Sequence, residues 1–278
     1  MTLPNLLVIG AAKCGTTSLH HYLAAHPEIA MSAEKELNYF VAEKNGGRSL
    51  TWYESQFDGT APVRGESSPA YTAYPCYAGV PERIHSVVPE ARLVYVVRDP
   101  IERVVSHYQL LQGEPELGSL EDVLEHPFHG GWMIAVSRYW SQLEQYHRFF
   151  SPGRILVVDA DQLRDCRQET LARVFRFVGV DPGYDSGELD RLHNVSTPAT
   201  RPNRIGSIIR TGLERAVGAR GARAIAHRVP RPLKAPFRRV ADQPAVTPEL
   251  RERLAEEFRP EVERLRAHTG EAFAGWSV

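Results

Sequence analysis

The sequence predicts an α/β fold: one domain spanning residues 1–278, a three-layer sandwich with a central, mostly parallel sheet flanked by helices. Three observations carry this. Short apolar runs of strand length recur along the chain. They alternate with segments that read as helices. The connections between them are short. A length of 278 residues, 42% hydrophobic and 24% charged, suits one folding unit with a sizeable core.

The elements follow in chain order. Leu6 to Ile9 is an apolar run ending at Gly10, as a buried parallel strand does. Thr16 to Ala25 then reads as a helix, stopped by His26-Pro27. Val63 to Ser67 is the second strand, and Arg92 to Asp99 the third, almost wholly apolar from Leu93 to Val97. Asp99 and Pro100 supply an N-cap and a first helical position, so a helix is expected over Pro100–Leu111. Gly113 to Gly118 is turn-rich. Tyr139, Leu143, Tyr146 and Phe150 form one stripe of a long helix over Met133–Phe150. Ile155 to Val158 is the fourth strand, followed by a helix over Gln168–Val178 that Gly179 ends. The last helix runs from Pro248 to Gly270, capped by Thr247, with Leu250, Leu254, Phe258, Val262 and Leu265 on its apolar face and a kink or break expected at Pro260.

Bulk properties narrow the function. A net charge of −1 gives no global bias toward a nucleic-acid partner. Cys14, Cys76 and Cys166 are odd in number and lack a CxxC pair, against a disulfide framework or a zinc site and for a reducing compartment. The amino terminus has no basic n-region, and no apolar run approaches a bilayer's width. A cytoplasmic location is therefore expected, with peripheral contact at the inner membrane surface allowed.

The stretch "VIGAAKCGTTSL" carries the chemistry. A strand, two spaced glycines and a helix start make a P-loop-like phosphate site, where loop amides and the helix terminus face an anion. Thr16, Thr17 and Ser18 add hydroxyls. The usual pattern ends Gly-Lys-Ser/Thr, yet here Lys13 lies inside the loop, two residues before Gly15. That placement, with no strand-end acid evident as a metal ligand, suggests a nucleotide whose chemistry requires no metal.

With these residues in view, the chain resembles the sulfotransferases that use 3'-phosphoadenosine 5'-phosphosulfate (PAPS), in the branch of bacterial and heparan-sulfate-type enzymes. "GAAKCGTTSL" looks like the family's 5'-phosphosulfate loop, "EKELNYF" its Lys-Glu-Pro-His-Phe-Phe segment, and "VVRDPIERVVSHY" its 3'-phosphate element. "ERLRAHTGEAFAGW" is similar to its closing helix, glycine and tryptophan. The resemblance implies transfer of a sulfuryl group to a hydroxyl, less readily an amine, of a small-molecule, carbohydrate or lipid acceptor, with adenosine 3',5'-bisphosphate (PAP) as product.

It also implies roles. Ala12, Lys13, Cys14, Gly15, Thr16, Thr17 and Ser18 would hold the 5' end, and Arg98 and Ser106 the 3'-phosphate. Arg201 and Arg204 belong to a late loop, "HNVSTPATRPNRIG", that resembles one closing over the nucleotide. Glu36 matches the base of the heparan-type enzymes, and Lys13 would neutralise the leaving phosphate oxygen. The chain departs from the pattern twice. Leu37 and Asn38 replace Pro-His, which removes a histidine base there and leaves Asn38 to orient the acceptor. In "GESSPAY", Ser67 stands where heparan-type enzymes carry a lysine. Ser67 and Tyr71 are thus expected, with Asn38, as acceptor contacts. His20, His21 and His107 read as structural or surface groups.

From Arg201 to Arg239 eleven Lys or Arg stand against a single acid, Glu214. This segment reads as a lid, a surface for an anionic acceptor or membrane, or a solvated basic stretch. The competing readings of the whole chain are a P-loop kinase and a non-enzymatic polyanion- or membrane-binding protein.

Overall fold

The computed structural model describes residues 2–57, 59–111, 118–187, 189, 200–203, 205, 206, 208, 209, 211–213, 215–218, 229, 235–240, 244 and 246–278. Its centre is a five-stranded sheet of β1 (Leu6–Gly10), β2 (Ile29–Met31), β3 (Val63–Ser67), β4 (Arg92–Val97) and β5 (Ile155–Asp159). The order is β2-β3-β1-β4-β5 and every pairing is parallel. All five residues of β1 are buried, as are Leu93–Val97 of β4. Side chains alternate between faces along a strand, so uninterrupted burial means both faces of the sheet's middle are covered. The predicted mostly parallel sheet flanked by helices is the observed one. The sequence missed β2: at three residues it is too short for a pattern, and its pairing with Val63, Arg64 and Gly65 defines it.

The helices that position the site are α1 (Thr16–Ala24), α5 (Pro100–Leu111), α7 (His129–Ser137), α8 (Tyr139–His147) and α11 (Pro248–Thr269). Short α2 (Ala42–Asn45) and α3 (Leu50–Glu54) lie between β2 and β3, and α4 (Val80–Val87) precedes β4. Helix α6 (Leu120–Glu125) precedes α7, while α9 (Ala160–Asp165) and α10 (Arg167–Val178) follow β5. Gly179 ends α10 in the left-handed region at φ 83°, the conformation its lack of a Cβ allows.

Two expectations change. The single helix over 133–150 is two helices, because the backbone leaves the helical basin at Arg138, with ψ 74°. There the hydroxyl of Ser137 is engaged by the Arg103 guanidinium at 2.5 Å and by the Met133 carbonyl at 3.1 Å. Helix α8 then starts on a carboxylate of α11: Glu261 accepts from the Ser141 amide at 2.8 Å and its hydroxyl at 2.6 Å. Conversely, α11 is continuous through Pro260. Buried Phe258 and Val262 bracket the proline, so packing holds the turn that lacks an N–H. With Leu250 and Leu254, Phe258 joins a second apolar cluster containing Ile101, Val104 and Tyr108. Emptying its position would cost about 3–5 kcal/mol.

A short antiparallel pair, β6 (Thr200–Pro202) with β7 (Arg238–Val240), brackets the basic segment. Arg204 and the 113–117 turn lie outside the described residues, and Arg201 is described in its backbone only. Among the described residues no helix is long and apolar enough to cross a membrane.

Candidate active site

Strands β1 and β4 are neighbours, and the chain leaves them in opposite directions: from β1 through α1 to β2 on one side, and from β4 through α5 toward β5 on the other. Open α/β sheets bind ligands at such a switch point, beyond the carboxyl ends of the strands. A cavity of about 1030 Å³ opens there, lined from the loop after β1, the turn after β4, and the segments after β2 and β3.

The loop after β1 is fixed from below. The Ala11 amide donates to the Val96 carbonyl of β4 at 2.6 Å. Lys13 and Gly15 both take left-handed conformations, at φ 73° and 87°. A Cβ at Gly15 would meet no atom within 4 Å, so glycine is needed there for backbone freedom alone. Gly15 is also the N-cap of α1 and offers no side-chain acceptor to the amides of the first turn. Ala12, Lys13, Cys14, Gly15, Thr16, Thr17 and Ser18 all line the cavity. Cys14 is fully buried, its thiol 3.6 Å from the Tyr139 hydroxyl, and burial raises its pKa. It contributes packing and backbone rather than a thiolate.

Arg98 follows β4 and also lines the cavity, as does Ser106, two turns into α5. Asp99 is not Arg98's counter-ion. One carboxylate oxygen caps α5, accepting from the Ile101 amide at 2.8 Å and the Glu102 amide at 3.1 Å. The other accepts from the Ser277 amide and hydroxyl, both at 2.6 Å. Among the described residues neither Lys13 nor Arg98 has a carboxylate within ion-pair distance. Burial and the charges of Arg98 and Arg103 lower the Lys13 pKa. Neighbouring cations without a counter-charge favour an anionic ligand, and the donor set fits a nucleotide with phosphate groups at both ends.

Sequence reasoning missed Arg103. It is fully buried beneath the phosphate loop and, among the described residues, has no carboxylate partner. Its guanidinium donates to the Met133 carbonyl at 2.6 Å, the Ala12 carbonyl at 3.4 Å, the Ser137 hydroxyl and Nδ1 of His107 at 3.2 Å. It ties the loop to α7. The available signal was its place in "RDPIERVVSHY", one turn before His107. Because Arg103 donates to Nδ1, the neutral His107 ring carries its hydrogen on Nε2. Burial and the charges of Arg103, Lys13 and His129 bring its pKa down to about 3. His107 lines the cavity as a neutral hydrogen-bonding group, not as a base.

Glu36 reaches the cavity from the segment after β2, paired with Lys35 at 2.9 Å. The three expected acceptor contacts are absent from the cavity lining. Ser67 is fully buried, its hydroxyl 2.9 Å from Nδ1 of His20, whose pKa falls to about 4 mainly through burial. Tyr71 is buried and donates to Glu66 at 2.8 Å. Asn38 turns its side-chain amide back onto the Glu36 carbonyl at 2.7 Å. The cavity lining includes instead Lys35, Lys44, Pro69, Ala70, Ala73 and Trp132. Trp132 packs edge-on against Tyr77 at 5.1 Å, and the Lys44 ammonium lies 5.2 Å from the same tyrosine ring.

The sulfotransferase domain family matches residues 3–213. Human bifunctional heparan sulfate N-deacetylase/N-sulfotransferase 3 is 28% identical over 203 residues, 67% of this chain and 23% of that protein. Mouse heparan sulfate glucosamine 3-O-sulfotransferase 3B1 is 30% identical over 188 residues, 64% of this chain and 46% of that protein. The chain thus spans about a quarter to a half of the length of these curated relatives. A solved sulfotransferase from Alicyclobacillus acidocaldarius matches over 100% of both chains with a TM-score of 0.70 at 22% identity. Mouse SULT7A1 complexed with PAP matches over 93% of this chain and 84% of its own at 12% identity and a TM-score of 0.51. At these identities the two structures bear on the fold.

Proposed function

Because the chain belongs to the sulfotransferase domain family, we propose that, acting as a single domain, it transfers the sulfuryl group of PAPS to an acceptor hydroxyl, less readily an amine. The observation that carries this reading is the convergence of Lys13, Arg98, Ser106 and Glu36 on one cavity at the switch point of the sheet. Arg98 and Ser106 hold the 3'-phosphate, for which a planar guanidinium offers paired donors. Lys13, the loop amides and the hydroxyls of Thr16, Thr17 and Ser18 hold the 5' end. The bond broken joins sulfur to the bridging phosphate oxygen, and the bond formed joins sulfur to the acceptor. Glu36 takes the acceptor proton as that bond forms, and Lys13 offsets the charge gained by the phosphate oxygen.

Of small-molecule, carbohydrate and lipid acceptors, the heparan sulfate relatives favour carbohydrate. Trp132 and the small apolar side chains of Pro69, Ala70 and Ala73 offer a face for sugar C–H groups, and Lys44 a charge beside it. Residues 201–239 are proposed to close over the nucleotide or to meet an anionic surface.

The test is thermal shift in the presence of EDTA, followed by transfer of label from PAPS. PAP is expected to raise Tm without Mg²⁺. A response to ATP with Mg²⁺ and none to PAP would favour the kinase reading and overturn this one.

A further inference from the structure

Glu66 is the last but one residue of β3, 0% exposed, and among the described residues it touches neither the cavity nor a cation. It accepts three hydroxyls: Tyr53 at 2.5 Å, Ser68 at 2.6 Å and Tyr71 at 2.8 Å. Burial raises its pKa, while the hydroxyls of Ser68, Tyr53 and Tyr71 oppose that shift. An acid that serves only the core would be an expensive choice here, since an apolar residue packs without desolvation.

The direction of the hydrogen bonds explains what it does. A serine or tyrosine hydroxyl has one hydrogen. Ser68 gives its hydrogen to Glu66, so its oxygen is left to accept, and the Asn38 amide donates to it at 3.0 Å. Tyr71 likewise donates to Glu66 and accepts from the Phe40 amide at 3.5 Å. A third bond, from the Glu36 amide to the Ser67 carbonyl at 2.9 Å, fastens the same segment to the end of β3. That segment needs fastening: Glu36 and Asn38 sit in the left-handed region, at φ 66° and 52°. Such a conformation is uncommon for a glutamate and is strained.

We propose that Glu66 is a positioning residue: by polarising Ser68 and Tyr71 it holds residues 36–40 in the strained conformation that presents Glu36 to the cavity. The proposal rests on the reading of Glu36 as base.

The probe is PAPS itself, with water standing in for the acceptor. Hydrolysis to PAP, PAP affinity and amide exchange at residues 36–40 are measured for Glu36→Gln, Glu66→Gln, Ser68→Ala, Ser68→Thr and the double variant Ser68→Ala/Glu36→Gln. Expected is a loss of turnover of about tenfold or more in Ser68→Ala and Glu66→Gln, with PAP affinity unchanged. Ser68→Thr, which keeps the hydroxyl, restores the rate. Ser68→Ala adds nothing in the Glu36→Gln background, because the side chain being positioned is already disabled. Wild-type turnover in Ser68→Ala beside an inactive Glu36→Gln overturns the positioning role alone, as does full additivity in the double variant. Wild-type turnover in Glu36→Gln overturns the base assignment. In that event exchange decides: tenfold faster exchange at Asn38 in Ser68→Ala supports the positioning role, and unchanged exchange overturns it. Ser68→Ala deletes one atom, so it keeps the test open if Glu66→Gln fails to fold.

Discussion

The two ends of the cavity are built differently. The cationic end is a tight loop, with Lys13 itself left-handed at φ 73°, set between regular elements (a strand end, a helix N-terminus and α5), with Arg103 bracing it from beneath. The end that carries Glu36 uses irregular backbone, held by a buried carboxylate and three hydroxyls. The contrast is one of tolerance. A nucleotide presents the same charges in every cycle, and a framework set by the sheet suits it. A segment held by side-chain hydrogen bonds can change with the acceptor while the sheet stays as it is.

Four substitutions probe this contrast, taken from the largest expected effect. Glu36→Gln should lower transfer by about 10²–10⁴-fold and leave PAP affinity unchanged; a parallel fall in affinity would mean that the two ends are not separable. Arg98→Lys should weaken PAP binding about 10–100-fold, read by calorimetry, because an ammonium does not reproduce the paired donors. Equal binding would remove Arg98 from the cationic end.

The third is acid stability. His20 holds Ser67, whose carbonyl holds the Glu36 amide. Its folded pKa of about 4 lies below the unfolded value of 6.5, so the unfolded chain binds more protons between the two. Stability therefore rises with pH across that window; it is complete above about 6.5 and falls as pH drops toward 4. His20→Asn keeps a polar atom near Nδ1 without the titration. It should flatten the fall by on the order of 3 kcal/mol, measured by denaturation from pH 7 to 4. His107 contributes a similar dependence from the cationic end, down to about 3, so an unflattened profile would assign the acid sensitivity there. The smallest effect is expected from Ser277→Ala, which removes one of two bonds to Asp99 and should weaken PAP binding only a few-fold.

The same contrast governs what the sequence discloses. That Lys13, Gly15, Arg98 and Ser106 would line one cavity was legible because each sits at a fixed offset from a strand end or cap within a contiguous stretch. Asp99 and Thr247 could be named as caps for the same reason. Ser67, Tyr71 and Asn38 carry plausible chemistry, yet they do not line this cavity. Whether a hydroxyl faces a cavity, a buried His20 or a buried Glu66 depends on the pairing of β1 and β3, some sixty residues apart, and no local pattern encodes it. Arg103 escaped for a related reason: beside Glu102 and four residues after Asp99 it reads as a surface ion-pair residue, whereas the Ala12 and Met133 carbonyls that hold it lie far off in sequence. The break at Arg138 follows from a contact between α5 and α7, which periodicity within one stretch does not contain.

Asp99 also sets a timing. The turn that presents Arg98 is tied on one side to the start of α5 and on the other to a residue 178 positions downstream. On the ribosome, β1, β4 and β5 can be made and paired while Ser277 is still to come. A nascent chain then has its sheet and phosphate loop in place while one side of the Asp99 turn is still untied. Full affinity for the nucleotide is expected only once residue 277 has emerged, so a partly synthesised chain would compete weakly for the cell's supply.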